Sequence, residues 1–171
     1  MTFLKVIIYM SMTANGYIAE KSGRTAFVRK ASDESFRSMM SKVKANLVGM
    51  GTYKETLKHG RFPYDGFNVV MTRKPIKSRW KNVLFTDKKA ENALKIFEDA
   101  GYKTVMAGGG KINSLFMKKG LVDEIYLDIE PIILTNGIKV FDGINFKSKL
   151  ELLGVKRLSN EEVQLHYKVL K

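Results

Sequence analysis

Residues 104–116 read TVMAGGGKINSLF: a β-like apolar run, three consecutive glycines, then apolar residues at helical spacing. Each glycine forfeits roughly 0.5–1 kcal/mol against alanine in a regular element. The gain that offsets this is a backbone conformation closed to other residues, or a ligand that approaches the main chain, such as a phosphate on a helix N-terminus. A strand handing over to a helix is the building unit of an α/β sheet, so this stretch constrains the fold more than any other.

The rest of the chain follows the same grammar until its last third. Residues 3–10 are apolar and β-favouring, as in a strand buried on both faces. Residues 11–16 read as a turn, 17–19 as a short extended piece and 21–23 as another turn. Ser32 or Asp33 is placed to cap a helix carrying Phe36, Met39, Met40 and Val43 and ending near Lys44. Leu47 and Val48 lead into a second glycine-rich strand end, Gly49-Met50-Gly51-Thr52, followed by a polar loop over 58–66. Residues 67–71 form a strand stopped by Thr72-Arg73-Lys74-Pro75, and 82–85 form another. Thr86 or Asp87 caps a helix through Ala90, Ala93, Leu94 and Phe97, with Gly101 as its stop. After Gly120 only extended segments remain, at 124–133, 149–157 and 162–170. The predicted class is α/β, with a mostly parallel central sheet flanked by helices and an antiparallel C-terminal addition.

Composition narrows the function. A chain of 171 residues with no linker or repeat is read as a single domain over 1–171, large enough to bury roughly 70% of its unfolded surface. It contains no cysteine, which excludes disulfides and thiolate chemistry, and its two histidines, His59 and His166, lack the spacing of a zinc site. No catalytic metal is expected. No window approaches about 18 consecutive apolar residues, and residues 1–9 lack a basic leader, so a cytoplasmic protein without a membrane segment is expected. The formal charge of +13 attracts polyanions, but the basic residues are scattered and no nucleic-acid recognition motif is present, which argues against nucleic acid; a phosphorylated small molecule or a soluble lysine-rich surface explains the charge as well.

In an open α/β sheet, ligands sit outside the carboxyl ends of the strands. Three such ends carry unusual chemistry here: the glycines of 49–52, the glycines of 107–110, and the hydroxyl and cations of Thr72, Arg73 and Lys74. Together they suit a dinucleotide with a diphosphate bridge and an extra phosphate. Neither glycine cluster matches G-x-G-x-x-G.

The segments SMTANGYIA (11–19), VGMGT (48–52), VVMTR (69–73), GGGKIN (108–113) and GLVDEI (120–125) occur in this order. In that arrangement the chain resembles the dihydrofolate reductase-like superfamily, most closely the reductase domain of the bifunctional riboflavin biosynthesis deaminase/reductase. The resemblance implies a dihydrofolate reductase-like fold and NADPH-dependent hydride transfer to a pyrimidine- or pterin-type heterocycle. It implies that Gly49, Gly51 and Thr52 contact the pyrophosphate and that Thr72, Arg73 and Lys74 hold the adenosine 2′-phosphate. Ala107, Gly108, Gly109, Gly110 and Lys111 would wrap the middle of the cofactor, with Ile18 near the nicotinamide. Asp33 and Glu34 stand about where dihydrofolate reductases carry their acid, although acids in a first helical turn also stabilise the helix dipole. A homodimer through the C-terminal β region is implied as well.

Several positions depart from the relatives. Gly66 stands where dihydrofolate reductases carry a tail-binding arginine. Lys54-Glu55-Thr56 replaces an Asp-Asp-Pro, Ala107 a glutamate and Asn15 an aspartate of riboflavin-pathway reductases. Dihydrofolate reduction and a non-catalytic NADP-binding regulatory module stand as the alternatives to the riboflavin-type reaction.

Overall fold

The computed structural model describes residues 3–171. Met1 and Thr2, part of the segment read for a leader, lie outside them. The elements begin with β1 (Lys5–Thr13), β2 (Tyr17–Ala19), α1 (Lys30–Val43), β3 (Ala45–Gly49), α2 (Met50–Lys58), β4 (Phe67–Met71) and β5 (Val83–Thr86). They continue with α3 (Ala90–Asp99), β6 (Thr104–Gly108), α4 (Gly110–Lys118), β7 (Glu124–Glu130), β8 (Ile138–Lys139), β9 (Lys149–Arg157) and β10 (Val163–Leu170).

Eight strands form one sheet in the order β5-β4-β3-β6-β1-β7-β10-β9. The pairings from β5 through to β7 are all parallel, and β10 then runs antiparallel to β7 and to β9. This is the mostly parallel sheet with an antiparallel C-terminal edge that the order of elements predicts. Alternation assigns the two faces. Leu47, Val69, Val105 and Ala107 point to one side, where Phe97 of α3 and Phe116 of α4 are fully buried. Val48, Val70 and Phe85 point to the other side, under Tyr53 of α2, while Tyr9 and Met106 pack there beneath Met40 of α1.

Four local expectations are corrected. The turn placed at 11–16 starts later, because Met12 and Thr13 extend β1 by pairing with Ile129 and Glu130. Helix α2 stands where only a strand end and a loop were expected. Its nine residues show little periodicity, and it is held by Tyr53, whose ring meets Phe62 and Phe85 edge-on at 4.9 and 5.1 Å. Neither Ser32 nor Asp33 caps α1, which starts earlier with Arg29 as a cap residue that makes no side-chain cap bond. Carboxylates from far along the chain serve instead: Arg29 N–H donates to Glu130 Oε1 and Ser32 N–H to Glu162 Oε1, both at 3.3 Å. Likewise α3 begins at Ala90 after Lys89, and Thr86 Oγ1 accepts from Lys88 N–H in the turn before it.

Candidate active site

Strands β4, β3, β6 and β1 are neighbours and parallel, so their carboxyl ends share one edge. Two helices start there: α2 behind Gly49 and α4 behind Gly109, neither with a side-chain cap. Their first N–H groups are therefore without capping side chains, at the positive ends of the helix dipoles. A cavity of about 680 Å³ opens at this edge, floored by the sheet through Tyr9, Met10, Asn46 and Met106 and walled by Phe36 and Met40 of α1.

Of the residues expected to hold a cofactor, Ile18, Gly51, Thr52 and the run Ala107, Gly108, Gly109 and Gly110 line this cavity. Gly49, Thr72, Arg73, Lys74 and Lys111 do not line it. Gly49 packs against Ile112, 3.2 Å from where its Cβ would stand. Thr72 follows β4, one strand over from β3, with Arg73 and Lys74 exposed beside it.

Two of the three glycines of 108–110 are required, for different physical reasons. Gly109 has φ +106°, and a Cβ there would stand 2.6 Å from Thr52 Oγ1, so the turn between β6 and α4 admits no side chain. At Gly110 a Cβ would press on the main-chain oxygen of Lys139, so β8 packs directly on the start of α4. Gly51, by contrast, has nothing within 4 Å of its Cβ position. Two uncapped helix N-termini with open space beside one of them fit a diphosphate.

The cavity wall also carries charge. Asp33 lines it and accepts from Arg37 Nε at 2.8 Å, with Arg61 Nη1 at 3.9 Å. Arg37 and Arg61 line it too. Glu34 points elsewhere, exposed and 3.6 Å from Lys30. Glu55 pairs with His59 at 2.8 Å. Ala107 closes the end of β6 without a carboxylate.

Behind the floor lies a buried polar network. Tyr9 OH donates to Asp128 Oδ2 at 2.7 Å, and Gln164 Nε2 donates to Asp128 Oδ1 at 2.7 Å and to Tyr9 OH at 2.8 Å. Asp128 is fully buried, and burial pushes its carboxyl up to about 6, against the lowering effect of Gln164 and Tyr9 and with Glu130 and Glu162 adding repulsion. Burial likewise raises Glu130 and Tyr9. A carboxyl raised in the folded state contributes stability that is fully present below the unfolded value near 3.8 and is lost as pH rises through about 6. Asp128→Asn keeps an acceptor for Gln164 and removes the charge. It is expected to stabilise the protein by about 2 kcal/mol at pH 8 and by almost nothing at pH 4, read from urea midpoints at the two values. The sequence offered only one faint signal for this network: acids at alternating places among the apolar residues of β7, with Asp128 and Glu130 after Glu124.

A family model described as the RibD C-terminal domain matches residues 4–164. The chain belongs to this family. The chain is 27% identical over 169 residues to the uncharacterized protein YwjB of Bacillus subtilis (strain 168), covering 95% of this chain and 97% of that protein. A putative riboflavin biosynthesis protein from Shewanella sp. PV-4 superposes with a TM-score of 0.86 at 20% identity, covering 98% of this chain and all of that one. A diaminohydroxyphosphoribosylaminopyrimidine deaminase/5-amino-6-(5-phosphoribosylamino)uracil reductase from Thermotoga maritima superposes at 0.79 with 18% identity, 98% of this chain matching 57% of that one. The fold is that of the RibD reductase domain. No described helix is long and apolar enough to cross a membrane.

Proposed function

We propose that the cavity is the active site of an NADPH-dependent reductase acting on a pyrimidine- or pterin-type heterocycle, most like the 5-amino-6-(5-phosphoribosylamino)uracil reductase step of riboflavin biosynthesis. The observation that carries this reading is the convergence of two uncapped helix N-termini on one apolar-floored cavity. When bound, NADPH supplies a hydride to a C=N or ring-opened sugar imine. The N–H groups at the starts of α2 and α4 hold its diphosphate, with Gly51, Thr52 and the 107–110 run against its length and Ile18 near the reacting ring. Arg37 and Arg61 bind the anionic end of the substrate. Asp33, anchored by Arg37, manages the proton from the wall.

Thr72, Arg73 and Lys74 follow β4, the strand beside β3, without lining the cavity, and in this reading they pair with the 2′-phosphate at the far end of the dinucleotide. NADPH is therefore expected to bind at least about tenfold more tightly than NADH, a difference of about 1.4 kcal/mol, in a fluorescence titration. Equal affinities would refute the assignment. NADPH oxidation is expected on addition of the riboflavin-pathway intermediate, with dihydrofolate as the second substrate to try. Two observations favour a non-catalytic NADP-binding module as the second reading: Ala107 brings no carboxylate to the floor, and Asp33 is tied to an arginine. Cofactor binding without turnover of either substrate would select that reading.

We also propose that two copies pair through β9. This edge strand leaves Leu152 54% and Val155 61% exposed, an apolar edge that pairing would remove from water. Sedimentation at low micromolar concentration is expected to give twice the chain mass, and Val155→Lys to give the monomer.

A further inference from the structure

Asn46 is the second residue of β3, 3% exposed, and lines the cavity. Its register partners are Met106 on β6 and Asn68 on β4, and the cavity around it is apolar through Tyr9, Met40, Val48 and Met106. A side-chain amide carries a donor end and an acceptor end. The donor end is committed, because Asn46 Nδ2 donates to the Asp65 main-chain oxygen at 2.9 Å. That bond also fixes which way the amide faces, since turning it over would set two acceptor oxygens against each other.

Neighbouring asparagines hold the same loop. Asn68 Nδ2 donates to the Tyr64 and Gly66 oxygens at 2.9 and 3.0 Å, and Asn82 Nδ2 to the Gly66 oxygen at 2.8 Å. The difference lies at the other end of the amide. Asn68 Oδ1 is sealed in the interior without a partner, whereas Asn46 opens on the cavity. Among the described residues, no donor reaches Asn46 Oδ1. An oriented acceptor in an apolar cavity gains a great deal from one well-placed donor, because the alternative is a carbonyl half-stripped of water.

We infer that Asn46 sets specificity by accepting, at Oδ1, a hydrogen bond from an N–H group of the bound heterocycle. The inference rests on the proposed heterocycle-binding cavity and adds the donor that the ligand must carry. A site built to receive an N–H discriminates strongly against the analogue that lacks it, while shape alone separates isosteres weakly.

The test compares 2,4-diaminopyrimidine with 2,4-dimethylpyrimidine, which replaces each amino group by a methyl of similar size, at a pH where both are neutral. Binding is measured by calorimetry with and without NADPH. The wild-type protein is expected to prefer the diamino compound by at least about tenfold, and Asn46→Leu to bring the two within about threefold. Asn46→Leu also loses the pin to Asp65, so a measurement on wild-type protein stands beside it: the Asn46 side-chain carbonyl carbon signal, by NMR, should shift with the diamino compound and stay still with the dimethyl one. No preference between the probes, no binding of either at low-millimolar concentration, or an unmoved carbonyl signal would overturn the inference. Failure of NADPH to bind overturns the cofactor reading instead, and leaves the comparison of probes readable.

Discussion

Gly109→Val is expected to weaken NADPH binding at least about a hundredfold, equivalent to about 2.7 kcal/mol, and to lower stability by about 2–6 kcal/mol. Two separate effects add. At φ +106° a β-branched residue is strained by about 1–3 kcal/mol. A side chain 2.6 Å from Thr52 Oγ1 must also push α2 away from α4, an overpacking effect of about 1–3 kcal/mol. Moving the two helix starts apart changes the spacing of the N–H groups that hold the diphosphate, which is why affinity falls with stability. Fluorescence titration at a temperature where circular dichroism shows folded protein separates the two effects. A variant that binds NADPH within about threefold of wild type would remove the 107–110 turn from the proposed cofactor site. Thr52→Ala in the same chain should recover part of the lost stability and none of the backbone strain.

Phe116→Ala is expected to lower unfolding free energy by about 3–5 kcal/mol, the range for truncating a fully buried aromatic side chain. Phe116 is 0% exposed and belongs to the main core, on the helix whose first turn forms one side of the cavity. A domain of ordinary stability, about 5–15 kcal/mol, would be left marginal. The urea midpoint should fall with the slope unchanged. A change below about 1 kcal/mol would mean that α4 is not anchored by this ring, and that the turn at 108–110 is held mainly by the contact of Gly110 with the β8 main chain.

Much of the fold was legible because strand and helix periods are local properties. The limits of β4, β9 and the end of β10 follow from runs of apolar or alternating residues, with Pro75 and Gly101 punctuating the chain. Helix α2 was missed because its short sequence, MGTYKETLK, carries a glycine at its second position and too few apolar residues to show a face. Its stability comes from Tyr53 among Phe62, Trp80 and Phe85, rings supplied by three other segments. The cap of α1 was misplaced for a related reason: Ser32 and Asp33 have the residue types of a local cap, yet Glu130 at the end of β7 and Glu162 just before β10 reach the helix from far along the chain. In the site, the glycine turns were visible as composition, but their reasons were not. Gly110 answers to the Lys139 carbonyl and Gly109 to Thr52, neither of which a one-dimensional reading brings near.

By itself the order of residues determined an α/β chain whose parallel strands end in glycine-rich turns and whose last third adds antiparallel strands, since these features depend on spacings of two, three and four residues. Only the tertiary structure decided which polar groups share a cavity. Tyr9 meets Asp128 across 119 positions and Asn46 meets the Asp65 carbonyl across 19. Burial then raises one carboxyl and leaves one amide oxygen facing the cavity. Both outcomes depend on how much water is excluded at a point where distant segments close together, a quantity that no local pattern carries.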